Sequence, residues 1–66
     1  MEIKNNLKSI RHTEHEMDRK DFAEHIGVKF KTYYAYEKGE TNPSLLKAIE
    51  IAKKLNKHID EIWYTD

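Results

Sequence analysis

Residues 29–38, KFKTYYAYEK, interleave three lysines with four aromatic rings. Ammonium groups pair with phosphate, and ring faces and small apolar groups contact bases, so this stretch has the composition of a nucleic-acid surface. The same residues also fit a plain helical hairpin with a solvated basic face, and the segment alone does not separate the two. Four histidines, His12, His15, His25 and His58, are the other groups able to do chemistry. His12 and His15 are three apart, but they fall where a helix gives way to a loop. No Cys or cluster of carboxylates completes a four-ligand metal site, so solvated surface histidines are expected. The chain has no Gly-rich phosphate loop and no nucleophile with a base in reach, and it is too short to enclose a deep pocket. It reads as a non-enzyme, with no cofactor, metal or small-molecule ligand.

The elements that must position the basic stretch are short. Asp18 is a good N-cap for a helix over 19–26, with Asp21 three residues on in a rough capping box. Phe22, Ala23 and Ile26 give this helix one apolar face. Gly27 suits the sharp turn that ends it, and Val28 reads as a buried turn residue. A second helix over 30–37 stops at Lys38-Gly39. Two short helices joined by a tight turn containing Gly form a helix-turn-helix, whose second helix enters the DNA major groove while the first crosses the backbone.

The flanks are helical as well. Asn5 or Asn6 can cap a helix over about 6–12 with Leu7, Ile10 and Arg11 on one face, and Thr13 to Glu16 reads as a polar loop before Met17 returns to the core. Gly39 to Pro43 is a turn-rich linker. Ser44 caps a helix over 45–55 whose inward stripe is read as Leu45, Ala48, Ile49, Ala52 and Leu55. A last helix over about 59–63 points Ile59 and Ile62 inward. No strand-period run has useful length, so the expectation is an all-α, five-helix single domain over 1–66.

Composition bounds the partners. Twelve Lys+Arg against twelve Asp+Glu gives zero net charge, unusual for a nucleic-acid binder. The charge is uneven, however: residues 29–38 hold three Lys against one Glu, whereas residues 14–24 hold two basic against five acidic groups. Local field governs docking on phosphate, so a positive helix 30–37 survives the neutral total. No apolar run is long enough to span a membrane and no signal peptide is visible. With no Cys, the chain fits the cytoplasm.

The order LKSIR, M-D-x-x-DFAEHIGV, YEKG, NPSL, IAKKL and IDEIW resembles the Cro/C1-type (lambda-repressor-like) helix-turn-helix family from residue 7 to residue 63. The resemblance implies a compact five-helix fold. It also implies a transcriptional regulator of bacteria or phage that binds a palindromic operator in double-stranded DNA as a homodimer. Base contacts fall in the family at positions matching Phe30, Lys31 and Ala35. Phe30 or Ala35 would meet a thymine methyl, Lys31 guanine O6/N7, and Tyr34 a phosphate or base. Arg19, Lys29, Thr32 and Lys38 complete the expected DNA-facing set, with Arg19 on phosphate. The family also implies that Tyr33 and Tyr36 are core, and that Arg11 pairs with Glu37 as a structural ion pair.

Three positions depart from the family pattern. Arg19 stands where Gln is common. Lys29 stands where Ser or Thr caps the recognition helix. The connection from Arg11 to Met17 is one residue longer and lacks its Gly. Leu46, Ile62 in part, Trp63 and Tyr64 form an apolar group left over once the core is assigned, expected to be a dimer interface. Short terminal segments including Ile3 could join it by pairing as a small sheet, as in some stand-alone relatives. The alternative function is a protein-interaction module, antitoxin-like or an anti-repressor, that keeps the fold without strong DNA binding; zero net charge and the missing Gln favour it.

Overall fold

A computed structural model describes residues 2–65. Its elements run β1 (Ile3–Asn5), α1 (Leu7–Ile10), a π turn (Arg11–His15), α2 (Arg19–Ile26), α3 (Phe30–Lys38), α4 (Leu45–Leu55), α5 (Ile59–Ile62) and β2 (Trp63–Thr65). The domain is mostly helical, but it is not all-α. β1 and β2 pair antiparallel, with Ile3 opposite Thr65, Lys4 opposite Tyr64 and Asn5 opposite Trp63. Three residues per strand are too few for a period-2 pattern to show in the sequence. Polar side chains beside the strands fix them instead. Asn5 Nδ2 donates to the Tyr36 carbonyl at 2.8 Å, and Asn6 Nδ2 donates to the Glu61 carbonyl at 3.1 Å. Asn5 Oδ1 also accepts from the Leu7 N–H at 3.1 Å, so one side chain starts α1 and ties β1 to the end of α3.

The helix expected over 6–12 runs on through His15. From Arg11 it widens to i→i+5 bonding, with the Glu16 N–H donating to the Arg11 carbonyl. Segments of this kind take up an extra residue inside a helix. Residues read as a loop are therefore a wide helical turn. It ends at Glu16, which adopts a left-handed conformation at φ 52° without the freedom of glycine. Glu14 on this turn bridges to Lys57 at 3.0 Å, fastening it to the segment after α4.

Capping follows the sequence closely at two helices. Asp18 Oδ1 accepts from Asp21 N–H at 2.8 Å to start α2, and Ser44 Oγ accepts from Lys47 N–H at 3.2 Å to start α4. Lys29 precedes α3 and supplies no side-chain cap. Gly27 closes α2 at φ 79°. A β-carbon there would also come within 2.6 Å of Lys54 Nζ, which lies over the turn.

The core is built from Leu7, Ile10, Phe22, Ala23, Ile26, Tyr33, Tyr36, Ala48, Ile51, Ala52, Leu55, Ile62 and Trp63, with Met17, Val28 and Ile59 packed against it. Two expectations are corrected. First, α4 is rotated from the expected stripe: Ile51 is buried, while Leu45 is 72 % exposed and Ile49 is exposed. Apolar residues at 45, 46, 48, 49, 51, 52 and 55 cover more arc than one helix face can bury, so periodicity alone could not choose between neighbouring stripes. Second, Ile62 is fully buried and Trp63 nearly so; both belong to the core rather than to a surface patch. Trp63 is drawn in because it opens β2 opposite Asn5.

Replacing Glu16 with Gly is expected to stabilise the domain. Relief of the left-handed backbone gives ~1–2 kcal/mol, against ~0.5–1 kcal/mol of added chain entropy. The net gain should raise the melting temperature by a few degrees, as a thermal melt followed by circular dichroism will show.

Candidate nucleic-acid interface

The exposed side of α3 carries Phe30, Lys31, Tyr34 and Lys38, with Thr32 and Ala35 half-buried beside them and Lys29 exposed at the helix start. Phe30 is 47 % exposed. Its ring lies parallel to that of Tyr34, with centroids 6.1 Å apart and planes 9° from parallel. The i, i+4 spacing brings the two rings together on one helix face. Two cations reach the Tyr34 ring: Arg19 Cζ lies 5.0 Å from its centroid and Lys38 Nζ 4.4 Å. Lys38 also bridges to Glu40 at 3.2 Å. Arg19, Tyr34 and Lys38 thus form one cationic and aromatic edge, reaching from the start of α2 to the end of α3.

The opposite side of α3 faces inward and ends in a buried carboxylate. Tyr33 is fully buried and meets Phe22 edge-on at 5.4 Å. Its hydroxyl donates to Glu37 Oε2. Arg11 Nε donates to the same oxygen at 3.2 Å and Arg11 Nη2 to Oε1 at 3.4 Å. Arg19 Nε donates to Oε1 at 3.2 Å. Arg11 Nη1 is spent on the Met17 carbonyl at 3.0 Å. The Glu37 side chain is only 5 % exposed, and so is that of Arg11, whereas that of Arg19 is 41 % exposed.

Burial alone would raise the Glu37 pKa. The hydrogen bonds from Tyr33, Arg11 and Arg19 outweigh it and hold the carboxyl below its ordinary value. Tyr33 moves the other way: burial, then the neighbouring carboxylate, push its phenol up. For Arg11, burial opposes the charge, but the bonds to Glu37 and Tyr33 prevail and its pKa is raised.

The structure therefore brings Arg11 and Glu37 together and adds two partners that the sequence did not reveal. Tyr33 and Glu37 are four apart on one helix, a spacing that could have flagged the first. The Arg19 contact is tertiary and has no local signal. Of the histidines, His15 lies against Phe22 at 5.3 Å and His25 at 5.1 Å, and His12 Nε2 sits 3.3 Å from Arg11 Nη2. Among the described residues no three His, Cys, Asp or Glu side chains are placed to hold a metal, and no helix is long and apolar enough to cross a membrane.

A helix, a glycine turn and a second helix with an exposed basic face are the parts of a DNA-reading motif, and a helix-turn-helix family profile matches residues 7–62. The chain belongs to the Cro/C1-type helix-turn-helix family. Members of this family are DNA-binding regulators and not enzymes. Among its relatives is an uncharacterized HTH-type transcriptional regulator of Methanocaldococcus jannaschii, 39% identical over 61 residues, covering 92% of this chain and 91% of that protein. Another, from Methanothermobacter thermautotrophicus, is 39% identical over 51 residues, 76% of this chain and 74% of its own length. A third, from Archaeoglobus fulgidus, is 38% identical over 50 residues, 76% of this chain and 70% of its own. These relatives are archaeal, whereas the family resemblance implied a bacterial or phage regulator.

Because the folded-state pKa of Glu37 is depressed, its contribution to stability is present above the ordinary carboxylate value of 4.5 and is lost as pH falls through the lower folded value. Glu37→Gln should lower the neutral-pH stability by about 3 kcal/mol, since Arg11 is left buried beside a neutral group. The variant should also show a flatter melting temperature between pH 5 and pH 2, on the order of that range for a paired carboxylate. Melts of both proteins across this range provide the measurement.

Proposed function

We propose that this chain is a sequence-specific transcriptional regulator that binds a palindromic operator as a homodimer, with α3 in the major groove, and that it acts as a repressor. One observation carries the proposal: the second helix of the motif turns Phe30, Lys31, Tyr34 and Lys38 outward, two rings and two cations on one exposed face. Lys31 would donate to guanine O6 or N7, Phe30 or Ala35 would meet a thymine methyl, and Lys29, Arg19 and Lys38 would hold phosphates. Thr32 and Tyr34, on the same helix, would reach backbone or base. A protein seated in the groove excludes others from the same base pairs, which supports repression. The printed names of the relatives support a role in transcription.

A single recognition helix reads few base pairs, so a second copy is needed for useful specificity. One copy measures 30 × 23 × 21 Å, which suits two touching copies on half-sites ~34 Å apart. With Ile62 and Trp63 in the core, the apolar surface that remains is Leu45, Leu46 (69 % exposed), Ile49, Ile3 and Tyr64. We place the dimer contact there.

Two measurements test this function. Sites selected from random duplex DNA at moderate salt should yield a palindrome. On that operator Lys31→Ala should cost ~1–3 kcal/mol and relax one base pair, while Lys29→Ala weakens all sequences alike and flattens the salt slope. Equal losses for Lys31→Ala on operator and random DNA would remove it from base reading; no selected sequence at all would favour an interaction module. In sedimentation, Leu45→Glu combined with Leu46→Glu should give a folded monomer with much weaker operator binding. A double variant that remains dimeric would move the interface elsewhere.

A further inference from the structure

We propose that Glu37 is a positioning residue for DNA binding, holding Arg19 as a pre-set phosphate fork. This rests on the DNA-binding function proposed above and adds to it the means by which a buried acid governs an exposed contact. Glu37 lies at the end of α3, turned away from the basic face, and its side chain is nearly inaccessible. Its Oε1 nonetheless accepts from Arg19 Nε at 3.2 Å. Among the described residues this is the one hydrogen bond of the Arg19 guanidinium, so the two Nη groups keep their donors. The side chain is 41 % exposed, and the Tyr34 ring, 5.0 Å from Cζ, supports the guanidinium plane at a second point. Arginine is suited to this geometry because Nε can be committed while the planar Nη pair still meets a phosphate bidentately. A lysine carries three donors on one nitrogen but lacks the planar pair that meets two phosphate oxygens side by side.

Ordering one long side chain on binding costs ~0.5–1.5 kcal/mol, a factor of about two to ten in affinity. In this protein that ordering is already done in the free state. Arg11 makes the arrangement durable. With Tyr33 it takes up Oε2 and fixes the carboxylate, so Oε1 stays aimed at Arg19.

The test uses the full chain and a duplex selected by it from random DNA, with circular dichroism confirming that each variant is folded at the binding temperature. Arg19→Lys keeps the charge and should keep the salt slope, yet lose about two- to tenfold in affinity. Glu37→Gln removes a negative charge near phosphate, so electrostatics alone would tighten binding. If Glu37 positions Arg19, binding weakens instead, and in an Arg19→Ala background the same change no longer weakens it. Should Glu37→Gln prove unfolded, Glu37→Asp serves in its place, keeping the charge but drawing the carboxylate back from Arg19. Independently of DNA, the Arg19 Nε–H should be visible and slow to exchange by NMR at neutral pH, and it should become fast-exchanging in the Glu37 variant.

Arg19→Lys binding like the native chain, tighter binding by the Glu37 variant, an equal loss in the Arg19→Ala background, or a fast-exchanging native Nε–H would each overturn the proposal. A native chain that selects no duplex while its Nε–H is protected would instead overturn the DNA-binding function and leave Arg19 a structural residue, which overturns the positioning role as well.

Discussion

One buried carboxylate holds this small domain in register. Glu37 accepts from the π turn, α2 and its own helix at once, through Arg11, Arg19 and Tyr33. Hydrophobic contact is non-directional, and a core of thirteen buried apolar residues could tolerate some sliding of these short helices past one another. The charge hub does not tolerate it, because any slide would leave Arg11 or Glu37 buried and unpaired. The angle between α2 and α3 is thus set by directional bonds on the inward side of α3, opposite Phe30, Lys31 and Tyr34.

The two sides of α3 divide the work by chemistry. Inward, Tyr33 and Tyr36 supply large apolar bodies, and the Tyr33 hydroxyl finds an acceptor where a Phe would leave the carboxylate short of a donor. Outward, Phe30 and Tyr34 rest on each other and carry cations at their rim. Zero net charge is compatible with this division. Five of the acidic groups fall in residues 14–24, whereas residues 29–38 hold three Lys against one Glu, so the field at α3 is locally positive.

Much of the molecule was legible in the sequence, for identifiable reasons. Asp18, Gly27, Ser44 and Gly39 are residue types with strong local preferences, so helix ends could be read directly. The ion pair of Arg11 with Glu37 and the inward Tyr33 and Tyr36 came from family resemblance and not from periodicity. What was missed is tertiary or very short. The strands β1 and β2 carry no pattern over three residues. The buried arc of α4 could not be chosen because seven apolar residues compete for it, and that same surplus leaves Leu45 and Ile49 outside. Trp63 was misplaced on the surface because its burial depends on pairing with Asn5, 58 residues away in the chain; the small terminal sheet was expected at the dimer contact and not beside the core.

The π turn at Arg11–His15 bears on how such a domain can change over evolutionary time. An inserted residue in a regular helix rotates everything beyond it by about 100°, the angular step between successive helical residues. Here a widened turn can take up such a surplus at the cost of one left-handed residue and i→i+5 bonding. Buried Arg11 opens this turn and its guanidinium reaches forward to the Met17 carbonyl, so the segment that widens the helix is also tied across its own exit.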